Sequence, residues 1–167
     1  YDIMRQTVAL KFLERSLYMF KKAQRKPEQI LTDEYASKIL TEGGVGVLGL
    51  YREDGYPYAV PLNYVIIDGK AYFHCAKKGD KLDAIKYCDR ACLTVIEKDT
   101  LVPEEATTYF RSVMAFGKVR IVEDYDEVVA ILQKLGEKYL SQFPDVITSE
   151  IAKSGKGTGI IELDIEF

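Results

Sequence analysis

Apolar residues recur at every third or fourth position in parts of this chain, as they do on the buried face of an α-helix. The spacing of Leu10, Leu13 and Leu17 predicts an amphipathic helix over residues 10–20. We interpret it as a packing element, with a membrane-surface role as the alternative. Capping and periodicity predict three more helices, over residues 33–42, 80–87 and 126–140.

Between the helices, apolar residues form short runs or alternate with polar ones, which is typical of β-strands. Asp68-Gly69 between two such runs is a strong hairpin signal. The predicted strands cover residues 45–51, 58–67, 71–75, 91–96, 112–122 and 159–167. In meander order they describe a small antiparallel barrel with helices at its ends. Its interior would be filled by side chains, so a ligand would bind in an outer groove or at a subunit boundary.

Composition limits the class of protein. The 167 residues suffice for one domain, and 23 basic against 26 acidic residues give a net charge of −3, which argues against nucleic acid as a partner. No apolar run approaches the length of a membrane span, and charges interrupt the N-terminal region, so we expect no membrane association and a cytoplasmic location. Cys75, Cys88 and Cys92 lack metal-finger spacing, and we interpret them as buried fillers, with catalytic thiols as the alternative.

Pro61 lies inside an apolar run that otherwise predicts a strand. Because proline has no N–H to donate to a ladder, this strand should be an edge strand or bulged. Backbone groups at Val60, Leu62 and Asn63 would then be free to bind a ligand, such as a planar ring with an imide-like edge. A plain edge strand that Pro61 protects from aggregation is the alternative.

Three lysines follow the next run. Lys77, Lys78 and Lys81 surround Gly79, which leads directly into the helix predicted over 80–87. Positive charge and the unpaired amides of a helix N-terminus favour an anion such as a phosphate monoester. A solvated turn with surface lysines is the alternative.

His74 is the only histidine of the chain. Strand alternation directs it away from Phe73 and Cys75. It is a candidate proton donor facing a cofactor, or else a hydrogen-bonded core residue. One histidine without clustered cysteines makes a metal site a poor hypothesis.

With these motifs in order, the stretch GVLGLYREDGYPYAVPLNYVIIDGKAYFHCAKKGDKLDAIKYCDRACLTV resembles the flavin-binding proteins related to pyridoxamine 5'-phosphate oxidase. It resembles in particular the branch that includes the nitroimidazole resistance proteins. VPEEATTYFRSVMAFGKVRIVED and the final IIELDIEF continue the likeness. The resemblance implies a mainly β, α+β fold, an FMN-binding split barrel of antiparallel Greek-key order, for residues 19–167, preceded by a helical extension over 1–18.

The resemblance also implies a homodimer that holds FMN at the subunit boundary. Val60 to Tyr64 would line the ring edge, Phe73 to Ala76 would follow the ring and ribityl chain, and Lys81 would meet the phosphate. Arg111 and Ser112 would approach the site from the same or the partner subunit. The implied cofactor-binding set is Arg25, Val60, Pro61, Leu62, Asn63, Tyr64, Phe73, His74, Cys75, Ala76, Gly79, Lys81, Arg111 and Ser112.

Two positions depart from the pattern. Asp80 stands where a basic residue or histidine often precedes the lysine that matches Lys81, and Gln24 replaces a charge beside the retained Arg25. Both changes would weaken phosphate binding.

Two functions agree with these observations. One is an FMN-dependent oxidoreductase that reduces a small acceptor, such as a nitroaromatic, with electrons from a reduced nicotinamide. The other is a non-catalytic module that binds a flavin or haem, which would explain why the chain offers no GxGxxG motif for a nicotinamide nucleotide.

Overall fold

The computed structural model describes residues 26–167, so the helix predicted over 10–20 and the candidate residue Arg25 lie outside the described residues. Within that range all strands join one antiparallel sheet of seven strands in the order β2-β1-β5-β6-β7-β4-β3. The strands are β1 Gly46–Tyr51, β2 Pro57–Leu62, β3 Val65–Ile67, β4 Lys70–Ala76, β5 Arg90–Val102, β6 Thr107–Val122 and β7 Thr158–Ile165.

The sheet curls into a split barrel. Its two outermost strands, β2 and β3, are consecutive in the chain and are separated only by Asn63 and Tyr64. The three Cα–Cα steps from Leu62 to Val65 span at most about 11 Å, so the two edges of the sheet must come close together. The predicted α+β split barrel is therefore confirmed.

Three details of the strand prediction are wrong. The run 58–67 forms two strands that belong to opposite edges of the sheet, so the order is not a meander. The hairpin of β5 and β6 is longer than predicted and continues past a register shift at Ile96/Lys98 to the pair Val102 and Thr107.

Four α-helices lie in the described part of the chain: α1 Asp33–Glu42, α2 Asp80–Tyr87, α3 Tyr125–Leu140 and α4 Pro144–Ser154. The first three confirm the prediction, and α4 was not predicted. The Thr32 hydroxyl caps α1 by accepting from the Tyr35 N–H at 3.2 Å, and the Asp124 carboxylate caps α3 through the Glu127 N–H at 2.8 Å.

Helices α1 and α2 cover opposite ends of the barrel. The Tyr35 hydroxyl of α1 donates to Glu97 on the far part of β5 at 3.1 Å. Directly after α2, the Asp89 carbonyl accepts from the Val119 N–H near the other end of β6 at 2.7 Å. The barrel interior is packed with side chains, among them Leu48, Phe73, Leu93, Ile161 and Leu163, each fully buried. No helix among residues 26–167 is long and apolar enough to cross a membrane.

One carboxylate is buried in the sheet. Glu162 of β7 is 2% exposed and accepts hydrogen bonds from Lys70 at 3.0 Å, Tyr72 at 3.1 Å and Arg120 at 2.9 and 2.5 Å. Burial, together with the hydrogen bond to this carboxylate, raises the pKa of Tyr72 to about 12. The cluster joins β4, β6 and β7 through charge-assisted hydrogen bonds.

Candidate functional site

The free edge of β2 carries a distinct set of backbone groups. The Arg52 N–H donates to the Tyr56 carbonyl at 3.2 Å, so these two residues form a hydrogen-bonded pair. Along an antiparallel ladder such pairs alternate with pairs that are not hydrogen-bonded. Tyr58, Val60 and Leu62 therefore bond to β1, while Pro57, Ala59 and Pro61 face away from it. The prediction that the backbone groups of Val60 and Leu62 are free is wrong. The free edge instead offers the carbonyls of Pro57, Ala59 and Pro61 and a single donor, the Ala59 N–H, because proline has none.

The end of β4 presents a second free edge. Asp68 and Gly69, at φ 50° and 79°, form a two-residue turn, so Lys70 and Tyr72 bond to β3. By alternation His74 and Ala76 direct their N–H and C=O groups to the same side. Strand β3 pairs only with residues 70–72, so these groups lie beyond its end.

Both edges run away from Asn63 and Tyr64, where the chain crosses from β2 to β3. We call the region between the two edges the seam, with Ala59 and Pro61 on the β2 side and His74 and Ala76 on the β4 side. If the pairing of Val65 with Tyr72 continued without interruption, Asn63 would lie opposite His74 and Pro61 opposite Ala76. The chain instead leaves the β4 ladder after Val65 and joins β1 from Leu62. The seam thus brings together the two stretches that the sequence analysis singled out.

Side chains near the seam fall into two groups. Tyr64 and Phe73 are fully buried; the backbone N–H and C=O of Tyr64 bond to the Tyr139 hydroxyl, and those of Phe73 face β7. His74 is exposed on the opposite side of β4 from Phe73. Val60, Leu62 and Cys75 are half-buried, and Pro61, Asn63 and Ala76 are exposed. The predicted alternation around His74 is confirmed.

The cysteine of this group is not activated. Burial raises the pKa of the Cys75 thiol, and the nearby charge of Lys81 opposes this shift without cancelling it. All three cysteines are free. A neutral, partly buried thiol agrees with the interpretation of Cys75 as a filler.

The lysine loop, by which we mean residues 77–79 together with Lys81, lies at one end of the seam. Gly79 has φ of 124°, a conformation that side chains rarely adopt, and it is the N-cap of α2 with no side chain capping the helix. Lys77 and Lys78 are exposed and Lys81 is half-buried. Free amides and three cations around one helix start make a suitable anion site.

Asp80 does not point into that loop. Its carboxylate lies 3.4 Å from Arg52 Nη1, and Arg52 also pairs with Asp54 at 2.7 Å. Asp80 is thereby held towards the turn between β1 and β2, where a cation balances its charge. The expected repulsion of a phosphate is reduced by this geometry.

Arg111 lies at the other end of the barrel. Its side chain is ion-paired with Glu97, and the hydrogen bond from Arg111 holds the pKa of Glu97 below its usual range. Arg111 lies eight positions before Val119 on β6, and Val119 is bonded to the segment after α2. Eight steps along a strand span about 26 Å. Arg111 and the half-buried Ser112 are therefore not brought to the lysine loop within one chain.

A cavity of about 670 Å³ adjoins Arg111. Its walls are mostly apolar, from Ile30, Tyr109 and Phe110, and Lys26 and Lys98 add positive charge. In volume it is of the size that small-molecule sites have.

Sequence reasoning missed Ala59, Arg52, Glu97 and Tyr139 as contributors to these regions. Ala59 could have been found from Pro57 and Pro61, which leave it as the one donor on that edge. Among residues 26–167, no three His, Cys, Asp or Glu side chains are grouped so that they could hold a metal ion.

Most of the chain matches one known protein family. Residues 32–166 match the family described as pyridoxamine 5'-phosphate oxidase. The chain belongs to the pyridoxamine 5'-phosphate oxidase family. The match covers all seven strands and all four helices of the described part, together with the seam and the lysine loop.

Solved structures support this family's fold for the chain. A proposed 5-nitroimidazole antibiotic resistance protein from Bacteroides thetaiotaomicron shares 22% identity at a TM-score of 0.69, over 83% of this chain and 82% of that chain. The flavocytochrome Anf3 from Azotobacter vinelandii shares 20% identity at a TM-score of 0.70, over 86% of this chain and 68% of that chain. An FAD and heme binding protein from Mycobacterium smegmatis shares 20% identity at a TM-score of 0.65, over 80% of this chain and 66% of that chain. A search of curated protein sequences found no match.

Proposed function

We propose that this protein binds FMN along the seam and acts as an oxidoreductase, passing electrons from a reduced nicotinamide to a small acceptor such as a nitroaromatic. The observation that carries the proposal is the seam itself, with unpaired backbone groups along its sides and a cluster of lysines at one end. Structures with the same fold include a flavocytochrome and an FAD and heme binding protein, which supports a flavin as the ligand.

The seam fits the ring of a flavin. An imide edge has one N–H between two carbonyls, so it needs an acceptor for its N–H and a donor for a carbonyl oxygen. Ala59 on the free edge of β2 offers both, its C=O and its N–H. The backbone groups of His74 and Ala76 supply further donors and acceptors from β4. Preformed backbone groups beside apolar residues favour a planar ligand.

The lysine loop fits the phosphate. Lys77, Lys78 and Lys81 supply charge, and the first amides of α2 supply hydrogen bonds. A bound flavin would supply the redox chemistry, while the chain orients the ring and shields one of its faces. His74 is our candidate for a proton donor beside the ring.

Lys81→Ala is expected to weaken FMN binding about tenfold, because it removes one charge-assisted contact to the phosphate. Riboflavin, which has the same ring and no phosphate, should bind equally well to both forms. Flavin fluorescence titration measures both affinities. Lys86→Ala is the matched control, since Lys86 lies on the same helix but pairs with Asp83 at 3.3 Å.

The absorption spectrum of the purified protein, recorded after addition of FMN and desalting, gives the first test. Retained flavin bands at one per chain support the proposal. A wild-type protein that retains no flavin, or a Lys81→Ala variant that binds FMN as tightly as the wild type, contradicts it.

We further propose that two chains form a homodimer around the flavin. One row of paired residues, Pro61, Val47, Thr94 and Met114, crosses β2, β1, β5 and β6 on the side away from the buried row of Leu48 and Leu93. Val47 is 36% and Met114 55% exposed. A second copy on this apolar face would shield it from water, and Arg111 could then reach the flavin of the partner subunit.

Met114→Lys should convert the dimer to a monomer, because it places a charge within the apolar face. Light scattering after size-exclusion chromatography measures the mass. Val146→Lys makes the same kind of change at a 44% exposed apolar residue of α4 and should leave the dimer intact. A wild-type monomer in the presence of FMN would exclude the dimer.

The alternative is a module that binds flavin or haem without turnover, as the haem-binding relatives in fold suggest. Oxidation of NADH or NADPH in the presence of FMN-loaded protein and a panel of nitroaromatics and quinones separates the two functions. Turnover supports the oxidoreductase. Tight flavin or haem binding without turnover for any acceptor supports the module.

A further inference from the structure

The first turn of α2 separates two regions of opposite charge. On one side lies the lysine loop. On the other lies a cavity of about 440 Å³ between the turn after β1 and the helix, lined by Arg52, Ala84 and four carboxylates, Glu53, Asp54, Asp80 and Asp83. Asp80 is the first residue of α2, so its carboxylate can turn to either side.

Arg52 is the one cation among the residues that line this cavity. It donates from Nε to Asp54 at 3.2 Å and lies 3.4 Å from the Asp80 carboxylate. Asp54 is fixed in turn by the Tyr56 N–H at 3.1 Å, and this backbone hydrogen bond, together with Arg52, holds the pKa of Asp54 below its usual range although burial opposes the shift. Asp54 thus anchors Arg52, and Arg52 holds Asp80.

Without Arg52, the cavity would contain only carboxylates around Asp80. The neighbouring carboxylates would repel Asp80, and the positive charge of the lysine loop on the other side of α2 would attract it. A carboxylate at the start of a helix is also stabilised by the free amides of the first turn. Asp80 would then turn to the lysine loop and neutralise part of its charge.

We propose that Arg52 is a positioning residue that keeps the Asp80 carboxylate out of the anion site, so that the lysine loop stays free for the phosphate of the cofactor. The inference rests on the proposed function, because it concerns the phosphate end of the same site. It explains how a chain with an aspartate at this position retains a phosphate site.

The test compares FMN with riboflavin on Arg52→Gln, Asp80→Asn and the double variant, by flavin fluorescence titration at low ionic strength. Arg52→Gln should weaken FMN about fivefold, the upper range for an exposed ion pair, and leave riboflavin unchanged. Adding Asp80→Asn should restore FMN binding, because the competing carboxylate is gone. High salt should reduce all these differences. Arg90→Gln, which removes another exposed arginine, is the control and should bind FMN as the wild type does.

Three results would overturn the inference while leaving the proposed function in place: FMN binding to Arg52→Gln as tight as to wild type, an equal loss of riboflavin and FMN, or a double variant as weak as Arg52→Gln alone. The last would assign Arg52 to the phosphate directly or to the local fold. A wild-type protein that binds neither flavin overturns both the inference and the proposed function.

Discussion

Replacing Arg120 with methionine is expected to lower the free energy of unfolding by about 3 kcal/mol at neutral pH, because it leaves a buried carboxylate with too little positive charge. Glu162 is 2% exposed, and Arg120 supplies two of its four hydrogen bonds. Lys70 and Tyr72 remain in the variant, which is why we take the lower end of the range for a broken buried ion pair. Methionine retains most of the apolar stem of arginine.

Removing the carboxylate should cost less than removing the cation. The side chains of Arg120 and Lys70 are 49% and 36% exposed, whereas that of Glu162 is 3% exposed. In Glu162→Gln the two cations can regain hydration, so we expect a loss of about 1–2 kcal/mol, as for an ordinary lost charged hydrogen bond. In Arg120→Met the carboxylate cannot reach water.

The difference between wild type and Arg120→Met should shrink in acid. Burial opposes ionisation of Glu162, but hydrogen bonds from Arg120, Lys70 and Tyr72 outweigh it and place its pKa below the usual 4.5. A lowered pKa in the folded state adds stability above the unfolded value of 4.5, and this contribution is lost as the pH falls through the folded value. In Arg120→Met, Glu162 protonates more readily and the penalty is relieved.

Urea unfolding of the three proteins at neutral pH and near pH 4 measures these differences. Lys134→Met, which removes an exposed cation paired with Glu137, is the control and should stay within about 0.5 kcal/mol of wild type. A larger loss in Glu162→Gln than in Arg120→Met, or a loss that does not change with pH, would show that burial does not decide the energetics of this cluster.

The elements that the sequence predicted well are those with one buried face. Helix α2 was predicted at its observed bounds because Leu82 and Ile85 are both buried. The outer part of the β5 and β6 hairpin was missed because residues 97–101 and 107–111 are exposed on both faces, which removes the alternation of apolar and polar residues. Helix α4 buries only Ile147, so its sequence does not show the helical spacing of apolar residues clearly enough to predict it.

The division of run 58–67 into two strands could not be predicted locally. Its residues favour one strand throughout, and the break depends on Tyr139, which lies 75 residues away from Tyr64. The same limit applies to the candidate site. Pro61 and the lysine loop carry their own local signals, whereas the pairs Arg52–Asp80 and Arg111–Glu97 join residues 28 and 14 positions apart.

Tyr139 lies at the point where the chain crosses from one ladder to the other. Its hydroxyl accepts from the Tyr64 N–H at 3.0 Å and lies 2.7 Å from the carbonyl oxygens of Tyr64 and Gly44. The ladder of β1 and β2 ends at the pair Gly46 and Leu62, so Gly44 would be the next partner of Tyr64. The hydroxyl takes that position, bonds to both residues and keeps the two backbones apart.

Tyr139→Phe is therefore expected to cost about 2–3 kcal/mol, because it leaves the buried N–H and the carbonyl of Tyr64 without their side-chain partner, whereas the Gly44 carbonyl keeps the Asn63 Nδ2 donor at 3.0 Å. Phenylalanine retains the ring that packs near Lys138 Nζ, 5.5 Å from its centre, so the loss isolates the hydroxyl. Urea unfolding measures it, and Tyr87→Phe, at a 57% exposed tyrosine, is the control with no expected change.

Hydrogen exchange tells a local effect from a general one. The Tyr64 amide should exchange much faster in Tyr139→Phe, while amides of the β5 and β6 ladder change only by the global loss of stability. Because the crossing point sets the width of the seam, FMN and riboflavin should both bind more weakly, unlike the phosphate-specific effect of Lys81→Ala. Unchanged exchange at Tyr64 would mean that water replaces the hydroxyl, and that packing rather than this hydrogen bond keeps the barrel split.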